Sequence, residues 1–261
     1  TGRMGRSLIR AIAESTDFIL VGAGVSPSSV QLGVDAGLMA GLPQALGVTL
    51  SADGESVVSP ADVAIDFSIS GAVLDHLSAA VCHRVPIVIG TTGLSADIRL
   101  QIGQRATEVG VLVAPNTSLG VNLLMQLVEQ AAAGLPRDYD IEIVEAHHRY
   151  KLDAPSGTAL ALGAAAARAR GEPPPPATLE RQGAREEGSI GYASVRAGDI
   201  VGEHTVILAG PGERIELVHR AHDRMTFAHG ALRAAAWLAG REPGLYGLSL
   251  IHISEPTRRT P

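Results

Sequence analysis

Three short apolar runs, Val63–Ser68 (VAIDFS), Pro86–Gly90 (PIVIG) and Val109–Ala114 (VGVLVA), are separated by two stretches of helical spacing, Ser70–His83 and Ser95–Glu108. Strands alternating with helices of roughly 10–15 residues predict βαβ crossovers and therefore a parallel sheet. The runs are apolar almost throughout instead of alternating with polar residues. That is the pattern of strands covered on both faces. An earlier run, Phe18–Gly22 (FILVG), also reads as a strand.

The character of the chain changes after about residue 118. Ile141–His147 (IEIVEAH) alternates apolar and polar residues, as a strand with one covered face does. Ser156–Arg170 is helical, and its alanine-rich part, Ala161–Ala169, is a good helix former. Gly171–Pro176 (GEPPPP) ends that helix, because proline fixes φ and lacks a backbone donor. Ser189–Arg196, Ile200–Ala209 and Arg214–Ala221 are strand-like runs separated by Gly and Asp, which predicts a mostly antiparallel sheet. Met225–Leu238 reads as a closing helix. The final run, Leu248–Pro261 (LSLIHISEPTRRTP), fits nothing before it; it resembles translated adapter sequence and is set aside as a non-native tail.

Composition excludes several classes. The 261 residues carry a net charge of -6 with 18% charged residues, so there is no basic face for nucleic acid. No apolar run approaches the roughly 18 residues that span a bilayer. The lone cysteine, Cys82, allows no internal disulfide and fits a reducing compartment. The first residues, Thr1-Gly2-Arg3-Met4-Gly5, include no signal peptide and no initiating Met at position 1. The chain is read as cytoplasmic, with its start truncated and the first strand missing.

Four motifs carry chemistry. Gly2-Arg3-Met4-Gly5 leads straight into an amphipathic stretch, Ser7–Ala13. A glycine turn entering a helix offers backbone N–H groups and the positive end of the helix dipole, which suits a pyrophosphate; an ordinary turn at a ragged end reads the same way. Gly90-Thr91-Thr92-Gly93 ends one apolar strand and Ala114-Pro115-Asn116-Thr117-Ser118 the next. Carboxyl ends of parallel strands are where such sheets bind ligands, although either segment also serves as a plain turn or helix cap. Near the end of the second strand no Asp, Glu or Arg is present, only Ser26, Ser28 and Ser29, which leaves NADH and NADPH both open.

The fourth motif runs from Glu145 to Ala159, EAHHRYKLDAPSGTA. It gathers two imidazoles, an ammonium and a helix start within one short segment. Histidine exchanges a proton near neutral pH, lysine supplies positive charge for a carboxylate, and Ser156-Gly157-Thr158 opens a helix whose amides an anion can approach. The segment suits a small acidic substrate with a centre that needs a proton. A zinc site is not expected: there is no HExxH and no cysteine partner, and neighbouring strand residues point to opposite faces.

This string closely resembles the signature of the dihydrodipicolinate reductase family, E-x-H-H-x-x-K-x-D-x-P-S-G-T-A. The G-R-M-G, G-T-T-G and A-P-N-x-S motifs follow in the family's order, and Arg196–Val206 is similar to its R-x-G-x-x-x-G-x-H-x-V run. The resemblance implies an α/β fold. A Rossmann-like dinucleotide-binding domain at 1–117, lacking its first strand, is completed by 227–247, and an α+β domain with a mixed, mostly antiparallel sheet at 118–226 binds substrate and forms a homotetramer. It implies NADPH or NADH held by Gly2, Arg3 and Met4 on the pyrophosphate side, by Gly90, Thr91 and Thr92 at the ribose and nicotinamide, and by Ala114, Pro115, Asn116 and Thr117 at the nicotinamide end. His147 and Lys151 are then catalytic, and His148, Gly157 and Thr158 contact a cyclic imine dicarboxylate. The implied activity is reduction of that imine in diaminopimelate and lysine synthesis. An aspartate dehydrogenase-like oxidoreductase and a non-catalytic nucleotide-binding module are the alternatives.

Overall fold

The computed structural model describes residues 2–177, 179 and 182–248. In chain order its elements are α1 (Arg3–Glu14), β1 (Ala23–Gly24), α2 (Ala36–Ala40), β2 (Leu50–Ser51), α3 (Gly54–Val58), β3 (Ala64–Asp66), α4 (Val73–His83), β4 (Ile87–Ile89), α5 (Ala96–Arg105) and β5 (Gly110–Val113). They continue as α6 (Leu119–Gly134), β6 (Asp140–His147), α7 (Gly157–Arg170), β7 (Ile190–Arg196), β8 (Gly202–Gly210), β9 (Glu213–Ala221), α8 (Met225–Leu238) and β10 (Gly244–Tyr246). Two compact units result. One takes in the chain up to Ser118 and resumes at Met225; the other is Leu119–Arg224.

In the first unit a parallel sheet runs β10-β5-β4-β3. The central strands β4 and β5 are apolar throughout because both faces are covered, whereas β3 ends on Asp66, buried and paired with His76 at 3.2 Å. Ile87, Ile89 and Val111 pack with Val73, Leu77, Ala80 and Ile102 of α4 and α5. Ile65 and Phe67 pack instead with Leu8 and Ala11 of α1 and with Ala228, Ala231 and Leu232 of α8. The period of two along each strand divides the side chains between these layers. Ser95 caps α5 by accepting the Ile98 N–H at 3.3 Å, and Arg84, with φ of 55°, turns the chain out of α4.

One expectation fails here. Phe18–Gly22 is not a strand; pairing begins only at Ala23, where the two-residue β1 lies parallel to β2. Ile19 is 86% exposed and Val21 46% exposed, so the run has strand-like composition but no ladder neighbour among the described residues. Extended backbone without a partner makes no ladder hydrogen bonds. The tail set aside at 248–261 lies outside the described residues except for Leu248.

The second unit is a sheet in the order β7-β6-β8-β9 with α6 and α7 against one face. β6 pairs parallel with β7 through the α7 crossover, whereas β6–β8 and β8–β9 are antiparallel. Ile141 and Ile143 of β6, Tyr192 of β7 and Val206 and Leu208 of β8 meet Ala159, Leu162 and Ala166 of α7 in its core. Among the described residues, no helix is long and apolar enough to cross a membrane.

The return of α8 to the first unit needs a glycine. A Cβ at Gly230 would lie 1.8 Å from the carbonyl oxygen of Thr117. Gly230→Ala is expected to lower unfolding stability by about 1–3 kcal/mol, the usual cost of overpacking. Gly103→Ala, inside α5 with nothing within 4 Å of its added methyl, should raise it by about 0.5–1 kcal/mol. Urea titration of both variants checks the opposite signs.

Candidate active site

Along β6 the covered face changes from apolar to polar. Ile141, Ile143, Glu145 and His147 share that face by their alternation, and the first two sit in the core. Strand register sets what lies beside the other two. Ser194 of β7 and His204 of β8 flank Glu145, and Arg196 of β7 flanks His147. The crossover returns through Ser156 at the start of α7, directly over this polar row.

Glu145 is fully buried, and its carboxylate accepts from five donors. Arg196 grips both oxygens, Nη2 to Oε1 at 2.7 Å and Nη1 to Oε2 at 2.8 Å. Ser194 Oγ donates to Oε1 at 2.7 Å, and the Ser156 backbone N–H to the same oxygen at 3.1 Å. His147 Nδ1 meets Oε2 at 2.5 Å. Burial alone would raise this carboxyl; hydrogen bonds from His147, Arg196 and Ser194 instead hold it well below the usual carboxylate range. It is an anion at any working pH.

His147 is 12% exposed at its side chain and packs edge-on against His204, with ring centroids 5.3 Å apart. Its Nε2 edge lies over Gly202, where an added Cβ would stand 3.1 Å away. His204 is 3% exposed and its Nε2 lies 3.1 Å from Ser156 Oγ, the same oxygen that caps α7 by accepting the Ala159 N–H. Burial, reinforced by the charge of protonated His147, pushes His204 down to about 3. It therefore stays neutral at neutral pH.

The segment between β6 and α7 carries the remaining motif residues. His148 follows the strand, with its ring 6.5 Å from that of Tyr150. Lys151 Nζ bonds both oxygens of Asp153 at 2.8 and 2.9 Å. Burial raises the Asp153 carboxyl, but the Lys151 bond and charge outweigh that and leave it lowered. Arg196 Nη2 reaches the Asp153 carbonyl at 2.6 Å, which ties this segment to the Glu145 cluster. Gly157 opens α7 and is exposed, with nothing within 4 Å of where a Cβ would stand. The structure thus brings His147, Lys151, Gly157 and Thr158 into one stretch around the β6–α7 junction.

In the sequence Glu145, Arg196 and His204 fall within motifs without a role, Ser156 reads only as part of a helix start, and Ser194 does not stand out. A usable signal was present: a glutamate two residues before a histidine shares its strand face, and a buried carboxylate needs a cation.

In the first unit the other predicted residues lie at the carboxyl edge of the parallel sheet and at the first helix. Gly90 follows β4, and an added Cβ there would strike the Phe67 ring at 2.3 Å. Thr91 is buried and donates to the Ser68 carbonyl at 3.3 Å, while Thr92 is exposed. Ala114 follows β5 and is held to Ile89 by a backbone bond of 2.9 Å; Pro115 is exposed beyond it. Asn116 Oδ1 accepts the Ser118 N–H at 2.9 Å. Thr117 is turned inward, and its hydroxyl donates to the Phe227 carbonyl at 2.7 Å, so that side chain serves the fold. Gly2 caps the 12-residue α1 without a side-chain bond, and neither Gly2 nor Gly5 has an atom within 4 Å of an added Cβ. Arg3 and Met4 follow in its first turn. A dinucleotide phosphate fits this approachable helix end. Among the described residues, no group of three or more His, Cys, Asp or Glu side chains is placed to hold a metal.

The chain is similar to known proteins in sequence and fold. The family described as dihydrodipicolinate reductase, N-terminus, matches residues 1–117, and dihydrodipicolinate reductase, C-terminus, matches 120–251. The 4-hydroxy-tetrahydrodipicolinate reductase of Rhodopseudomonas palustris (strain BisA53) is 52% identical over 252 residues, 95% of this chain and 92% of the relative. That of Magnetococcus marinus is 49% identical over 251 residues, 95% and 93% of the two chains. A dipicolinate-bound dihydrodipicolinate reductase from Paenisporosarcina sp. TG-14 superposes with a TM-score of 0.72 at 26% identity, covering 96% of each chain. An amine dehydrogenase from Mycobacterium smegmatis, at 12% identity and a TM-score of 0.61 over 94% of this chain and 92% of its own, shares the fold.

The buried histidine gives a pH signature. An unfolded histidine takes a proton near its ordinary 6.5, whereas His204 in the fold does so only near about 3. The His204 contribution is therefore constant above about pH 6.5 and lowers stability as pH drops below that, by up to about 1.4 kcal/mol per pH unit for one proton, whereas His76, raised by its bond to Asp66, adds stability that is lost as pH rises above its ordinary value. His219, also lowered by burial, adds in the same sense as His204. Glu145 contributes only below its unfolded value of about 4.5, where the lowered carboxyl loses its advantage. Between about pH 6.5 and 5, His204→Asn should flatten the slope of urea-unfolding free energy against pH. An unchanged slope would show that His204 is not neutral in the fold.

Proposed function

The chain belongs to the dihydrodipicolinate reductase family, and we infer from this membership and from the cluster at the β6–α7 junction that it is an NAD(P)H-dependent oxidoreductase. Its reaction is the reduction of dihydrodipicolinate, formed from 4-hydroxy-tetrahydrodipicolinate, to tetrahydrodipicolinate in diaminopimelate and lysine synthesis. The observation that carries this reading is His147: an imidazole fixed on one side by a buried carboxylate and lined on the other by glycine, on the strand that leads into the segment carrying Lys151 and an exposed helix start.

A reduced nicotinamide supplies the hydride when bound. Gly2, Arg3 and Met4 at the start of α1 would hold its pyrophosphate side, Gly90, Thr91 and Thr92 the ribose and nicotinamide, and Ala114, Pro115, Asn116 and Thr117 the nicotinamide end. Thr117, with its hydroxyl committed to Phe227, would contribute through its backbone. The small residues Ser26, Ser28 and Ser29 after β1 offer no carboxylate to the adenosine ribose, which supports use of either NADPH or NADH over strict use of NADH.

The protein's own residues then act on the acidic ring. Lys151 is paired with Asp153, whose side chain is 61% exposed. Pairs of that kind hold little energy, so the ammonium exchanges readily onto a substrate carboxylate. The amides at Gly157 and Thr158, with His148, receive the same anion at the positive end of α7. As negative charge develops on the conjugated imine, this positive field stabilises it, and His147 delivers the proton, with Lys151 as a second donor.

The substrate unit is further inferred to assemble as a homotetramer through its sheet. Val195 of β7 and Val218 of β9, 45% and 42% exposed on the face turned away from α6 and α7, support a covered face there. Light scattering of the purified chain reads the mass. A cytoplasmic setting is inferred from the single cysteine, Cys82.

The expected outcome for His147→Ala is a fall in kcat of about 10²–10⁴-fold, measured as NADPH or NADH oxidation with substrate supplied by the preceding synthase. Turnover close to that of the unaltered enzyme would remove His147 from the donor role. Wild-type oxidation of neither cofactor with this substrate, but turnover on an amino-acid panel, would instead point to aspartate dehydrogenase-like chemistry.

A further inference from the structure

We propose that Glu145 is the positioning residue of this site: it fixes His147 with its hydrogen on Nδ1, leaves Nε2 as the only nitrogen facing the chemistry, and pins the start of α7 with its other oxygen. The inference rests on the reading of His147 as proton donor. It adds a residue to that reaction which does not itself touch the substrate.

The argument begins with hydrogen-bond capacity. A carboxylate gripped by Arg196 on both oxygens and by Ser194 on one is ionised, and an ionised carboxylate only accepts. The 2.5 Å contact between His147 Nδ1 and Glu145 Oε2 can therefore be a bond only if Nδ1 carries the hydrogen. That holds for the neutral and the protonated ring alike, so the proton that comes and goes is the one on Nε2. Rotation of the ring is checked by the His204 edge, at an interplanar angle of 74°, and by the backbone of Gly202 under Nε2.

The second half of the proposal follows from the other oxygen. Oε1 accepts the Ser156 N–H, the residue whose hydroxyl caps α7, and Arg196 also holds the Asp153 carbonyl. One buried anion thus sets both the donor and the approach to the helix end proposed to hold the substrate carboxylate. Misplacing such an orienting group typically costs 10–100-fold, as measured for residues that orient metal-binding histidines. A carboxylate present only to neutralise Arg196 would leave the His147 tautomer unconstrained.

The test reads the ring directly. In 15N-histidine-labelled wild-type protein without substrate, long-range proton–nitrogen correlations at alkaline pH should show His147 with hydrogen on Nδ1 and a bare Nε2. The reverse tautomer overturns the proposal, and no variant need fold for that result to count. Glu145→Gln should lose the tautomer preference and cut kcat by about 10–100-fold, while KM for the nucleotide moves less than about twofold. Glu145→Asp, which keeps the charge, should recover part of the tautomer signal. Wild-type kcat in Glu145→Gln also overturns the proposal. Because the tautomer is read without turnover, its failure is distinct from failure of the donor assignment, which the His147→Ala assay judges alone.

Discussion

A carboxylate with no access to water governs the second unit. Glu145 is fully buried, and a charge removed from solvent is tolerated only when paired and hydrogen-bonded on most of its lone pairs. Arg196 supplies the countercharge through a two-pronged grip, and Ser194, Ser156 and His147 complete the set. Loss of one partner from such a pair typically costs about 3–5 kcal/mol, because the other charge is left buried alone. Three pieces of structure hang on this group: the imidazole of His147, the Ser156 cap of α7, and through Arg196 the segment carrying Lys151.

The sheet makes that cluster possible by register. On one face of adjacent strands, Tyr192, Ile143 and Val206 form an apolar row, and Ser194, Glu145 and His204 form the next. The following row holds Arg196 and His147, with Gly202 giving room to the ring. Core and site are one continuous surface whose polarity changes over two residues of each strand. The apolar row excludes water from below, and in that dry setting the ionic contacts are stronger than they would be on the surface.

Much of this was legible in the sequence, for reasons that differ by element. β4 and β5 were readable because burial on both faces leaves an unbroken apolar run, β3 because only Asp66 interrupts one, and α8 because its pattern starts after the polar His222-Asp223-Arg224. Phe18–Gly22 misled because composition records what a strand prefers, not whether a neighbour is there to pair with. The short α2, β2 and α3 left no periodic signal; α2 is defined by the Asp35 carboxylate, which accepts from Gly37, Leu38, Leu46 and Gly47. His147 stood out within its motif. Its supporting residues did not, since Ser194 and Arg196 lie 49 and 51 positions from Glu145 and meet it only once the parallel pairing of β6 and β7 is known.

The discontinuous make-up of the first unit has a consequence for how the molecule comes into being. Its sheet is faced on one side by α1 and α8, and β10 adds its outermost strand, so neither that layer nor that edge exists until the last helix has been synthesised. Residues 119–224, by contrast, form an unbroken stretch with a core of their own. On the ribosome the middle of the chain can fold while one layer and one edge of its companion are still waiting, so the part translated first is the part finished last.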